Sequence, residues 1–206
     1  MKRFLWALSL LFVMGCTKSR DCGFVQNVNG DRISWKHQIP IVLQIHSSFP
    51  KQNLGALKQA IEVWNKEAGE NLFVLNTSDI IKGEVKIKKD GANVIYFANS
   101  WDEERASEQA KTSVYWKNDR IIEADIRVNA SDFKFYSDAD SMDERRIAQQ
   151  TESAVHLKSL FVHELGHVLG LKHNDKNPSV MATYLQNNAV RTALSMGDRD
   201  SLKCEY

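Results

Sequence analysis

The sequence carries almost no net charge. Its 27 Lys+Arg stand against 26 Asp+Glu, a formal charge of +1, so it offers no polyelectrolyte attraction to nucleic acid or to an anionic membrane, and local sites must choose its partners. It also lacks an apolar run that could cross a bilayer: the longest, residues 4–14, is about 11 residues against the ~20 a spanning helix needs. There is no internal repeat, no low-complexity tract and no break in composition that would mark a second domain. What remains is 206 residues, 43% of them hydrophobic, enough for one domain with its own core.

Lys2 and Arg3 followed by the apolar run and by Val13-Met14-Gly15-Cys16 read as an export signal, which places residues 1–15 outside the fold. The segment resembles a bacterial lipoprotein signal. That resemblance implies cleavage before Cys16, a lipid on Cys16, and a chain held to the membrane of the cell envelope, on the outer membrane or the periplasmic face. An ordinary signal peptide cut nearby would instead give a secreted protein. Residues 17–31 are polar and without sustained period, so 16–32 read as a tether. Of the three cysteines, Cys22 and Cys204 then remain in an oxidising compartment near opposite ends of the domain, where a disulfide is the natural pairing.

From Ile33 the pattern is that of a folded domain, residues 33–206. Ile41, Leu43 and Ile45 alternate with Val42 and Gln44, the period of a strand, with Pro40 at its entrance. Leu54, Leu57, Ile61 and Trp64 recur at helical spacing with Lys58, Gln59, Glu62 and Lys66 between them, one amphipathic helix ready to pack on a sheet. Residues 71–75, 84–88 and 93–98 read as short strands. Two β-rich runs within 112–128 join across Asn118-Asp119 as a hairpin. In its second strand Ile122, Ala124, Ile126 and Val128 are expected on a buried face and Glu123, Asp125 and Arg127 on the other. A helical pattern follows over 152–171, then a loop over 174–193, then a short closing helix from about Ser195.

The late helix carries chemistry. In His163-Glu164-Leu165-Gly166-His167 two imidazoles stand four residues apart, hence on one helix face, where both can reach one ion. Glu164 is placed to take a proton from metal-bound water without ligating. Gly170 can adopt a left-handed, helix-ending conformation that brings His173 back as a third ligand. Three histidines with an open fourth position suit catalytic zinc, whose bound water has a pKa lowered from 15.7 towards ~7. With six His and ten Gly in the chain, independent placement would produce the five fixed positions with a probability of about 10⁻⁵.

The extended pattern, with Met181 in Ser179-Val180-Met181 as a Met-turn, is the metzincin signature, and residues 33–206 closely resemble the matrixin branch. The resemblance implies an α+β catalytic domain: a twisted, mixed five-stranded sheet with an antiparallel edge strand, packed on two long helices plus a C-terminal helix. It implies one catalytic Zn²⁺ on His163, His167 and His173, Met181 packed beneath these histidines, and Asp198 hydrogen-bonded to the Met-turn backbone. Thr112, Ser113, Val114, Tyr115 and Trp116 would form the edge strand that pairs with an extended peptide, and Tyr184 would wall the specificity pocket. The likeness departs at Asn174, where matrixins carry Ser or Thr, and at Ala182-Thr183-Tyr184, which lacks the family's proline. Counterparts of the histidines of a second, structural zinc are missing from 112–128. Calcium has only the acidic stretch 138–143 to suggest it, and that stretch lacks the Gly and Glu of a calcium loop. His156 lies ~10.5 Å of helix rise from His163 and so reads as a packing or surface residue. Cys22-Gly23 has a second reading as a fragment of an inhibitory cysteine switch.

Two functions of different class follow. One is a monomeric zinc endopeptidase that hydrolyses protein or peptide substrates through a Glu164-activated zinc-bound water. The other is a non-catalytic surface module that holds peptides on a metalloprotease fold; the intact Glu164 favours the enzyme.

Overall fold

Alternating apolar side chains build a five-stranded sheet in the first two thirds of the chain. The computed structural model describes residues 21–36, 38–138, 154–176 and 178–206. Its strands are β1 (Ile41–His46), β2 (Phe73–Ile81), β3 (Asn93–Ala98), β4 (Ala110–Lys117) and β5 (Arg120–Asn129), in the spatial order β2-β1-β3-β5-β4. Pairing is parallel from β2 to β5, and β4 is the antiparallel edge.

A parallel pair needs a crossover, and between β1 and β2 it is helix α1 (Leu54–Ala68), which buries Ala56, Leu57, Ala60, Ile61 and Trp64 and ends at left-handed Gly69. Helix α2 (Leu157–Val168) packs on α1 and is apolar almost all round; Trp64 Nε1 donates to Val162 O at 3.0 Å between them. The shared core sets Ile41, Leu43, Ile95, Phe97, Ala124 and Ile126 of the sheet against the two helices. Helix α3 (Met196–Leu202) closes the chain, started by a capping box between Ser195 and Asp198. This is the α+β architecture expected: mixed sheet, antiparallel edge, two main helices and a C-terminal one. No helix of the described residues is long and apolar enough to cross a membrane.

Four local expectations are corrected. Residues 84–88 alternate as a strand would but pair with nothing as a strand, because β2 and β3 each pair with β1 and leave no place between them. Residues 154–156, expected in the helix, form β7 (Ala154–His156), parallel to β6 (Lys134–Tyr136) in a small second sheet. His156 is fully buried there, its Nδ1 2.8 Å from Ser159 Oγ. In β5 the register passes from Tyr115↔Glu123 to Trp116↔Ile121, so Ile122 is a bulge residue and Ile121 takes its place in the core. The face assigned to Glu123 and Asp125 is covered as well: both are 1% exposed, with Gly91 N donating to Glu123 and Val94 N to Asp125 at 2.9 Å.

Residues 21–32, expected within the tether, are built into the domain instead. Phe24 is fully buried and bridges Leu171, and Gln26 pairs with Arg32. Cys22 and Cys204 form a disulfide with Cα atoms 6.2 Å apart, which excludes the cysteine-switch reading because the thiol is already bonded. Cys16 lies outside the described residues, as does the stretch 138–143 apart from Asp138.

Candidate metal centre and catalytic cleft

Helix α2 carries His163, Glu164 and His167 into a cleft lined also by the edge strand β4. Each of its two histidines is aimed by a carbonyl: His163 Nδ1 lies 2.7 Å from Val180 O and His167 Nδ1 2.8 Å from Leu171 O. A carbonyl only accepts, so Nδ1 carries the proton in both rings and Nε2 is left as a bare lone pair. Burial keeps the rings neutral: His163 is pushed down to about 3 by burial and by the neighbouring His167, and His167 and His173 are lowered for the same main reason.

The three Nε2 atoms converge. His167 Nε2 lies 3.1 Å from His163 Nε2 and 3.1 Å from His173 Nε2. The bare nitrogens of His163 and His167 cannot hydrogen-bond one another, whereas three nitrogens held tetrahedrally at 2.0–2.1 Å from a zinc ion stand about 3.3 Å apart. The donor set therefore fits zinc. Among the described residues these three are the group whose ligand atoms lie close enough to hold a metal.

His173 reaches the centre because the chain turns sharply after α2. Gly170 has φ +100, and a Cβ there would run into Ile33 O, so the turn requires glycine. The helix end is held from outside: Trp35 Nε1 donates to Val168 O at 2.7 Å and Tyr206 Oη to Leu169 O at 2.8 Å, satisfying carbonyls that have no partner within the helix.

Glu164 is 4% exposed, and Thr112 of β4 donates its hydroxyl to Glu164 Oε2 at 2.5 Å. Burial pushes the Glu164 carboxyl up to about 7, against the downward pull of the Thr112 bond. A buried carboxyl poised near neutrality is the property of a general base.

Met181 is 2% exposed and lies against Gly166 of the helix. It fits because residue 166 is glycine: a Cβ there would strike Met181 Sδ and lie 3.1 Å from Trp64 Cζ2. Asp198 of α3 accepts from Val180 N at 3.1 Å, from the Ser179 hydroxyl, and from Ser195 N at 2.8 Å, so one carboxylate both starts α3 and holds the turn after the third histidine.

The cleft beside the centre measures about 660 Å³. Thr112, Val114 and Trp116 of the edge strand line it; Ser113 and Tyr115 do not, and the Tyr115 ring instead has Lys89 Nζ 5.9 Å from its centroid. Tyr184, 65% exposed, and Leu185 also line the cleft. Their segment is pinned by Gln109 Nε2 donating to Leu185 O at 2.9 Å and Arg191 to Tyr184 O at 3.1 Å.

A family model described as Matrixin matches residues 41–206, from the first residue of β1 through all three histidines. The chain belongs to the matrixin family. Matrixins are zinc-dependent metalloendopeptidases, which assigns this chain hydrolase activity on protein substrates at the level of the family. Comparison with curated proteins finds no match.

In this matrixin several supporting groups escaped the sequence. Gly166 fills a variable position of the motif, and only its contact with Met181 reveals the need for it. The Thr112 hydroxyl lies on the expected edge strand, but its bond to Glu164 spans two elements and leaves no trace in spacing. The carbonyls of Leu171 and Val180 are backbone atoms, which no residue type signals.

Proposed function

We propose that this matrixin is an endopeptidase in which His163, His167 and His173 hold one zinc ion and Glu164 moves the proton. The observation that supports it most is the convergence of three histidine Nε2 atoms beside a buried carboxyl, next to the strand that forms the sheet's edge among the described residues. Zinc held there would supply Lewis-acid polarisation of a peptide carbonyl and acidification of water.

The protein's own residues do the rest. The edge of β4 pairs with the main chain of an extended substrate, with Thr112, Val114 and Trp116 turned into the cleft and Tyr184 and Leu185 receiving a substrate side chain. Thr112 holds Glu164 Oε2, leaving Oε1 to accept a proton from water and return it to the leaving amine; such a base contributes about 10²–10⁴-fold. The reading extends to the envelope: residues 1–15 are removed, Cys16 carries lipid, and a short tether leads into a monomeric domain at the membrane surface.

The test is hydrolysis of a denatured protein by the wild type, Glu164→Ala and His167→Ala, with zinc content measured on each. Cleavage by the wild type alone, with zinc retained in Glu164→Ala and lost in His167→Ala, is expected. A folded, zinc-loaded wild type that cuts nothing would sink the reading and leave the edge strand as a peptide-binding surface.

A further inference from the structure

The two carbonyls that aim the helix histidines belong to different loops, and each loop is held by a different end of the chain. Leu171, whose carbonyl holds His167, sits in the turn 170–172. A strap of residues 23–25 pairs with that turn: Val25 N donates to Gly170 O at 2.9 Å, Lys172 N to Gly23 O at 2.9 Å, and Phe24 bridges Leu171. Phe24 anchors the strap in the core, and Asp21 meets Lys172 at 2.6 Å. Val180, whose carbonyl holds His163, sits in the Met-turn, which Asp198 of α3 fastens through Val180 N and the Ser179 hydroxyl.

Cys22 opens the strap and Cys204 follows α3. The disulfide between them joins the two supports. A closed circuit results: His167, Leu171 O, strap, Cys22–Cys204, α3, Asp198, Val180 O, His163. Its two ends are the ligand atoms 3.1 Å apart.

We infer that the Cys22–Cys204 disulfide is a positioning clamp for the metal ligands, holding the Leu171 and Val180 carbonyls so that His167 and His163 stay converged. This rests on the zinc site proposed above. A bond that only shortened the unfolded chain would stabilise the fold wherever it lay. This one ties together the outer partners of two ligands; outright loss of such a partner typically costs 10–100-fold in metal affinity, and loosening both together is expected to reach the lower end of that range.

Zinc affinity, read by competition with a chelator of known strength, tests the clamp. Two disulfide-free forms are compared with the wild type: the Cys22→Ser/Cys204→Ser variant, and wild type reduced after folding and capped with iodoacetamide. The control is Val94→Ala, a buried β3 side chain outside the circuit whose loss lowers the melting temperature without touching either carbonyl. Both disulfide-free forms are expected to bind zinc about 10-fold more weakly and to give an altered visible spectrum when loaded with Co²⁺, whereas Val94→Ala keeps both. If the double variant fails to fold, the capped wild type supplies the result. Disulfide-free protein with wild-type zinc affinity would overturn the clamp and leave the site standing. A wild type that binds no zinc would overturn the site itself.

Discussion

Thr112→Val removes one hydroxyl and keeps the volume of the side chain, so it deletes the 2.5 Å bond to Glu164 Oε2 together with the same hydroxyl's 3.3 Å contact to Glu164 O. A hydrogen bond to a charged group is worth about 1.5–3 kcal/mol, and Glu164 is too buried for water to replace it easily. Two effects oppose each other. Without the hydroxyl the carboxyl is aimed only by the Thr112 backbone bond, and the lost bond, at about 1.4 kcal/mol per tenfold, amounts to roughly 10–100-fold in kcat/KM. The carboxyl also becomes more basic, because the Thr112 side-chain bond holds its pKa down; one unit of basicity returns roughly threefold. Aim wins, and a net loss of about 3–30-fold is expected. The assay is steady-state hydrolysis of a quenched fluorescent peptide by wild type, Thr112→Val and Thr112→Ser, each at equal zinc content. Thr112→Ser restores the hydroxyl and should recover most of the rate, and the valine change should add nothing in a Glu164→Ala background. Activity of Thr112→Val within twofold of wild type, or serine and valine variants equally slow, would refute the reasoning.

Three further outcomes follow from buried contacts and from the cleft. Asp125 is pushed up from 3.8 to about 7 by burial, with Glu123 and Asp90 adding to it. Its proton is therefore kept by the folded state and lost by the unfolded chain between those values, and stability falls as pH rises through that window. Asp125→Asn keeps an acceptor for Val94 N and should raise the melting temperature by about 2–8 °C at pH 8 (about 1–2 kcal/mol) with the advantage shrinking towards pH 4; a lower melting temperature at every pH would show an attractive partner for the carboxylate. Gly166→Ala drives a methyl into Met181 and Trp64 and should cost about 1–3 kcal/mol, seen by calorimetry as a fall of about 2–12 °C. Tyr184→Ala, at an exposed cleft wall, should leave stability within about 0.5 kcal/mol while changing the side chains accepted at one substrate position; an unchanged cleavage profile would remove Tyr184 from the pocket.

Features set by spacing along one segment are legible in the sequence. His163, His167, Gly170 and His173 follow from helix period and one left-handed turn, and Ser195 with Asp198 is a readable helix start. Features set by what lies across a sheet are hidden. Glu123 and Asp125 alternate as solvent-facing residues would, and only the segment through Gly91 and Val94 buries them. The bulge at Ile122 shifts the alternation by one within a run whose residues are apolar on both sides of it. Ala154–His156 merges with a helix of matching apolar spacing and becomes a strand only because residues 134–136 lie beside it. The strap of residues 23–25 shows no period because it is a short bridge, held by three backbone contacts and one buried phenylalanine.

The central claim is hydrolysis of peptide bonds at the three-histidine centre, and cleavage of a proteome-derived peptide library read by mass spectrometry tests it most directly. Zinc-loaded wild type should cut internal bonds with a side-chain preference at the position facing Tyr184 and Leu185, while chelated protein and Glu164→Ala leave the library intact. Cuts of equal yield and position in Glu164→Ala, or none in a folded wild type carrying one zinc per chain, would contradict it.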